Sequence, residues 1–285
     1  MSKSNTVKVA AKADYPRFKL GTSFTKEQLD FFDEHGFIHF TGALNQTEVK
    51  ELIAGYEEAQ DKLIKSRDKV VKGIPVIFGH DENGKRIVQR FPYTSNYSSR
   101  IKELVSDVRI QGMKNLLTEK SRRVSDSERD GVVFNHYVNS KHSRFKQMGW
   151  HTDSIREVFY GKKIWPMLNI GIYFDDSNEV NGGLRILPST HKQGIFGMLF
   201  TKMYYRNTKE DKDEVLVVAK AGDIVVHHGH IWHRVGHSEH LDSVSRRRVM
   251  YIPVLTGPRQ KRKVDPSKTK TPIYHHLQAF AKFAE

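Results

Sequence analysis

The chain has 285 residues, enough for one substantial core, and no cysteine, which excludes disulfides, zinc–cysteine sites, iron–sulfur clusters and thiol nucleophiles. Its 47 Lys and Arg against 33 Asp and Glu give a formal net charge of +14, and its 15 histidines make His, Asp, Glu and backbone oxygen the available metal donors. No stretch approaches the ~18 consecutive apolar residues of a membrane span, and Met1-Ser2-Lys3-Ser4 opens no apolar leader, so a soluble, cytoplasmic protein without a membrane span is expected.

The first 24 residues carry few apolar positions and no period, which predicts a mobile arm. Thr25 and Gln28 form a capping-box pattern that opens a helix closed by Gly36, and Gly36 to Phe40 reads as a strand. A second helix opens at Asn45 or Thr47 and carries Val49, Leu52, Ile53 and Tyr56 at helical spacing. Two β-type runs, 73–78 and 86–91, flank Asp81-Glu82-Asn83-Gly84, a hairpin signal. The aromatic and polar loop after this hairpin makes Gln89, Arg90, Tyr93 and Asn96 candidate substrate contacts. Helical spacing returns over 101–117, and 118–130 reads as a polar link.

From Gly131 the pattern changes to short strands at 132–138, 149–154, 167–174, 183–188, 215–218, 223–228 and 247–254, separated by loops rich in Gly, Asn, Asp and Ser. Many short strands after a helical region predict a mainly β fold with α additions, a jelly roll of the cupin-like kind with the N-terminal helices packed outside. The expected organisation is an arm over 1–24, one domain over 25–256, and a basic segment over 257–285. Inserts at 70–98 and 195–214 are candidate substrate lids, the second because Phe196, Met198, Phe200, Met203, Tyr204 and Tyr205 exceed the apolar content a free loop needs.

Gly149-Trp150-His151-Thr152-Asp153-Ser154 carries the chemistry. In a strand, His151 and Asp153 project from one face, offering an imidazole nitrogen and a hard oxygen. A second imidazole would complete the two-histidine, one-carboxylate triad that leaves three positions open on a ferrous ion. The stretch 222–237 supplies His227, His228, His230, His233 and His237 as alternatives, and Gly229 defeats counting strand faces across it. The basic run 259–263 lacks interleaved aromatics and reads as a solvated tail, so nucleic acid is disfavoured and a small-molecule substrate is preferred.

Several pieces in order resemble the phytanoyl-CoA dioxygenase family of Fe(II)- and 2-oxoglutarate-dependent oxygenases. They are Phe31 to Ile38, Trp150-His151-Thr152-Asp153, Asn181-Gly182-Gly183-Leu184 through Pro188 to His191, Gly222-Asp223 with Trp232-His233, and Arg246-Arg247-Arg248-Val249. The resemblance implies that His233 is the second imidazole, completing an iron site of His151, Asp153 and His233. It further implies that 2-oxoglutarate chelates the iron, that O2 is the second cosubstrate, and that Arg247 receives the distal carboxylate through its planar fork. Asn135, with Tyr137 on the same face by parity, is a candidate cosubstrate partner. Arg246 and Arg248 would point the other way, onto a solvated face. His136, His191, His227, His228, His230, His237 and His240 receive structural roles. Two other classes stay open: a zinc hydrolase using the same three ligands, and a non-catalytic binding protein on the same scaffold.

Overall fold

A computed structural model describes residues 14–160, 162–260 and 275–276. In chain order, α1 (Lys26–His35), β1 (Phe37–Phe40) and α2 (Gln46–Ser66) are followed by the short strands β2 (Val70–Val71), β3 (Ile74–Pro75) and β4 (Ile77–His80). Next come β5 (Arg86–Phe91), α3 (Ser99–Ser106), α4 (Val108–Gly112), β6 (Arg123–Val124), β7 (Val133–Tyr137) and β8 (Met148–His151). The remainder is β9 (Met167–Tyr173), β10 (Leu184–Ile186), α5 (Ile195–Phe200), β11 (Val215–Val217), β12 (Ile224–His228), β13 (His233–Val235), α6 (Asp242–Ser245) and β14 (Arg247–Leu255).

Two antiparallel sheets face each other as a jelly roll. The larger runs β1-β12-β9-β14-β7-β5-β4 with β6 beside β14, and the smaller runs β11-β10-β13-β8. Period-2 alternation sends the two faces of the larger sheet into different cores. Met250, Ile252 and Val254 of β14, with Leu168, Ile170 and Ile172 of β9, pack under α1 and α2 beside Phe32, Leu52, Tyr56 and Leu63. The alternate residues Val249 and Tyr173 face the smaller sheet and meet Ile186, Val217 and Val235. Helices therefore cover one face, and the functional cavity lies between the sheets.

The helices start and stop where local chemistry directs. Thr25 and Gln28 form a reciprocal capping box, and Asn45 and Glu48 form a second. Gly36 ends α1 at φ 76°, and a Cβ there would collide with the ring of His191, so this turn requires glycine on both counts. Inside the outer core, Tyr56 stacks on Phe134 with ring centroids 3.6 Å apart and donates to the Val88 carbonyl at 2.6 Å. A buried aromatic of this kind contributes roughly 1.5–3 kcal/mol through its apolar area.

The structure departs from the sequence expectation in four places. Residues 14–24 are a fixed lining rather than a mobile arm: Phe18 bridges Phe40, Phe24 stacks on Phe40, and the Tyr15 hydroxyl lies 2.9 Å from His39 Nδ1. Their spacing is irregular because an extended segment laid along a sheet edge obeys no helical or strand period; residues 1–13 lie outside the described residues. The hairpin's first run divides after Pro75 into β3, which pairs with β2, and β4, which pairs with β5. The strand expected over 149–154 stops at His151, and a 3-10 helix spans Asp153–Tyr160. Arg248 is not solvated, gripping Asp175 through two nitrogens at 2.7 and 2.8 Å, whereas Arg246 keeps its side chain 38% exposed and meets Glu82 at 3.4 Å. Most of the expected basic segment 257–285 lies outside the described residues, although His275, within them, is buried 3.3 Å from Asp130. Among the described residues, no helix is long and apolar enough to cross a membrane.

Candidate metal centre and active site

Strands β8 and β13 are antiparallel neighbours, and His151 and His233 are register partners whose ring centroids lie 4.1 Å apart. Each ring is oriented by a backbone carbonyl two residues before it: His151 Nδ1 lies 2.8 Å from the Gly149 oxygen and His233 Nδ1 3.1 Å from the Ile231 oxygen. Protonation at Nδ1 leaves both Nε2 lone pairs free for a ligand role. Asp153 reaches the same point from the first turn of the 3-10 helix. Its Oδ1 lies 4.0 Å from His151 Nε2 and its Oδ2 3.7 Å from His233 Nε2.

The three ligand atoms fall within 4.8 Å of one another, and among the described residues this is the group that could hold a metal ion. Burial acts to raise the Asp153 carboxyl, but the His233, His227 and His151 imidazoles hold it well below the usual carboxylate range. Burial in turn pushes His233 well below the usual imidazole range. A carboxylate and neutral imidazoles form the donor set a ferrous ion takes, so these residues fit it.

The triad opens onto a cavity of about 130 Å³. Its wall includes the expected Asn135 and Tyr137, Arg90 of the four expected substrate contacts, and Tyr205 from the 195–214 insert, stacked on His151 at 5.1 Å. Gln89, Tyr93 and Asn96 do not line it. Gln89 is buried elsewhere, accepting from the Arg144 and Phe145 backbone N–H groups at 2.7 and 3.1 Å; Asn96 is exposed. Tyr93 is buried and donates to the Arg129 carbonyl at 2.5 Å, which makes it a support for the turn beneath the cavity.

That turn holds what the sequence reading passed over as a polar link. Arg129 takes φ 55°, a conformation costly for a side chain of its size, and with Asp130 and Arg156 it lines the cavity. Asp130 bridges Arg90 and Arg156 at 2.8 and 2.9 Å, while Arg129 pairs with Glu157 at 2.6 Å. Three guanidiniums thus stand among three carboxylates, Asp130, Glu157 and the nearby Asp153, so these side-chain charges balance around the opening.

Arg247 is 4% exposed and lies over the Tyr137 ring, its Cζ 4.7 Å from the centroid. It donates to the Gly236 carbonyl at 2.7 Å, and among the described residues no carboxylate pairs with it. Burial lowers its guanidinium to about 10, so it is still charged at neutral pH. Burial also raises the phenols of Tyr137, Tyr173 and Tyr251, keeping them neutral donors near this cation. The Tyr173 hydroxyl and Asn135 Oδ1 are buried without hydrogen-bond partners.

Most of the remaining histidines lie away from the triad. Burial lowers His136 to about 3 and His230 to about 4, and His191 meets the Asp33 carbonyl at 3.0 Å. His227 is different: its Nε2 lies 3.2 Å from Asp153 Oδ2 and it lines the cavity, as does Asn169, whose amide donates to the same oxygen at 2.6 Å.

Comparison with known proteins agrees with this geometry. The family model for phytanoyl-CoA dioxygenase (PhyH) matches residues 32–242. A 2-aminoethylphosphonate dioxygenase from Uncultured bacterium HF130_AEPn_1 is 23% identical over 236 residues, covering 80% of each chain. Similar solved structures include the 2-oxoglutarate-dependent carbocyclase SnoK from nogalamycin biosynthesis, with a TM-score of 0.59, 18% identity, and coverage of 93% of this chain and 94% of that one. HygX from Streptomyces hygroscopicus, solved with nickel and 2-oxoglutarate, gives 0.59 at 15% identity over 84% and 90% of the two chains. At these identities the structural likeness establishes the fold.

Proposed function

The chain belongs to the phytanoyl-CoA dioxygenase family, a family of Fe(II)- and 2-oxoglutarate-dependent oxygenases, and from that premise we propose that it hydroxylates an unactivated C–H bond of a small anionic molecule, releasing succinate and CO2. The observation that carries this is the pairing of a three-donor site with a buried arginine that has no carboxylate partner among the described residues. A buried charge without a partner is costly unless a ligand supplies one, and the distal carboxylate of 2-oxoglutarate would supply it.

His151, Asp153 and His233 would hold the iron. Bound iron and cosubstrate supply the oxidative decarboxylation of 2-oxoglutarate by O2 and the oxidising power that removes hydrogen from a substrate carbon. Arg247 would take the distal carboxylate of 2-oxoglutarate in a two-point, charge-assisted contact, with Tyr137 supporting the guanidinium and the Tyr173 hydroxyl available as a further donor. The small cavity volume supports a small substrate, and the three guanidiniums of its wall, Arg90, Arg129 and Arg156, support an anionic one. The likeness to a 2-aminoethylphosphonate dioxygenase points in the same direction. Tyr205, and with it the 195–214 insert, would exclude water above His151.

The test is succinate release from purified protein supplied with Fe(II), O2 and 2-oxoglutarate, across a panel of phosphonates, carboxylates and neutral analogues that includes 2-aminoethylphosphonate. Stimulation by anionic members, with an added oxygen in the product, is the expected outcome. Turnover independent of 2-oxoglutarate, or confined to neutral compounds, would overturn the proposal.

A further inference from the structure

Asn169 on β9 and His227 on β12 stand directly opposite each other in the antiparallel register. Both reach one atom, Asp153 Oδ2, from the amide nitrogen at 2.6 Å and the imidazole Nε2 at 3.2 Å. Among the described residues, Asp153 Oδ1 receives no hydrogen bond; His151 Nε2 stands 4.0 Å from it. Asp153 lies on neither strand, so the larger sheet reaches across the cavity to hold a carboxylate presented by the smaller one. His227 Nε2 is not one of the three ligand atoms that lie within 4.8 Å of each other.

We propose that Asn169 and His227 form a clamp that restricts Asp153 to ligation through a single oxygen. This rests on the iron-site assignment above. An oxygen that accepts two N–H bonds has its lone pairs engaged, whereas its neighbour's are free. The consequence is a matter of counting positions. Three single-atom ligands leave three positions open on an octahedral ion, two for the chelating cosubstrate and one for O2. An unclamped carboxylate can swing to bind through both oxygens, and the position it takes is one that cosubstrate or O2 needs. Asn169 and His227 are therefore positioning residues acting through Asp153. The two sheets supply opposite parts of this arrangement, ligands from one and the restraint from the other.

The variants Asn169→Leu and His227→Leu, together and singly, test the clamp, with His227→Gln as the version that keeps an N–H donor. Fe(II) affinity is measured by anaerobic titration, and 2-oxoglutarate affinity by the metal-to-ligand charge-transfer band of the Fe(II) protein. The leucine variants should keep Fe(II) affinity within about tenfold of wild type while 2-oxoglutarate affinity falls on the order of 10- to 100-fold, the usual size of such supporting effects. His227→Gln should recover much of the loss in the single-site comparison. Co(II)-substituted protein should show a changed d–d spectrum in the leucine variants and a near wild-type one in His227→Gln. Equal 2-oxoglutarate affinity in all variants overturns the clamp. So does loss of iron in His227→Leu that His227→Gln fails to restore, the behaviour of a ligand. Absence of the band in wild type would instead overturn the iron and 2-oxoglutarate assignment itself.

Discussion

Arg247 and Tyr137 are register partners on β14 and β7, and the guanidinium lies against the face of its partner's ring. That stacking fixes the plane of the fork, which a lysine ammonium cannot imitate. Arg247→Lys should therefore weaken 2-oxoglutarate binding by ~2–4 kcal/mol, ~30- to 1000-fold, with iron affinity nearly unchanged. Anaerobic titration of 2-oxoglutarate into the Fe(II) protein reads both. Arg248→Lys loses its two-nitrogen grip on Asp175 and should lower thermal stability without moving 2-oxoglutarate affinity. An equal loss of cosubstrate affinity in the two variants would refute the Arg247 role.

Metal content separates the ligand histidine from its neighbours. Asp153→Ala and His233→Ala should purify with little iron and bind it at least tenfold more weakly, while His230→Ala should bind it normally. His230 lies in the turn before β13, and its backbone N–H bonds His228 Nδ1. Retention of iron by His233→Ala with loss in His230→Ala would reassign the ligand.

Arg185 and Arg234 are register partners on β10 and β13, two like charges directly across a strand pair, and both contact the buried Glu214. Glu214 accepts from Arg234 at 2.6 and 2.9 Å and forms an ion pair with Arg185, its Oε1 3.0 Å from Nε. Glu214→Gln removes the buried charge that both guanidiniums share, so unfolding free energy should drop by about 3–5 kcal/mol. Because Arg234 adjoins His233, iron affinity should fall in the same variant. Chemical denaturation, with and without Fe(II), measures both effects, and a loss below about 1 kcal/mol would contradict the account.

Burial acts to raise the Asp223 carboxyl, but bonds from His39 and from the Lys220 and Gly42 backbone N–H groups hold it below the usual range. A folded-state value below the unfolded one means that this stabilisation is fully present above the unfolded value of ~3.9 and is lost as pH falls through the folded value. Stability of the wild type should thus decline more steeply than that of Asp223→Asn as pH is lowered below ~4. Urea midpoints at a series of acid pH values test this, and parallel slopes would count against it.

Local chemistry was legible in the sequence, and distant convergence was not. The capping box at Thr25, the start of a second helix at Asn45 or Thr47, the turn at Gly36 and the alternation along β14 each depend on neighbours within a few residues, and each appears in the structure, with Asn45 as the cap of that second helix. The His151–Asp153 pair came together for a different reason from the one spacing suggests, since the strand ends at His151 and a helical turn delivers the carboxylate. Arg129 and Asp130 carried no periodic signal because their placement depends on Tyr93, over thirty residues earlier in the chain, bonding the Arg129 carbonyl. Asn169 and His227 were equally silent: one is a polar residue in an apolar strand, the other a member of a histidine run whose faces could not be counted past Gly229.

The position of β14 has a consequence for how the molecule is assembled during synthesis. It is the last strand among the described residues, yet it sits in the middle of the larger sheet, between β9 and β7. Until the ribosome releases it, β1-β12-β9 and β7-β5-β4 are two separate three-stranded fragments with no ladder joining them. Closure must wait for contacts between strands distant in sequence, such as Arg247 with Tyr137 and Val249 with Tyr173, the kind of topology that folds slowly. The same late strand brings Arg247, so the three metal donors are synthesised before the arginine proposed to seat the cosubstrate.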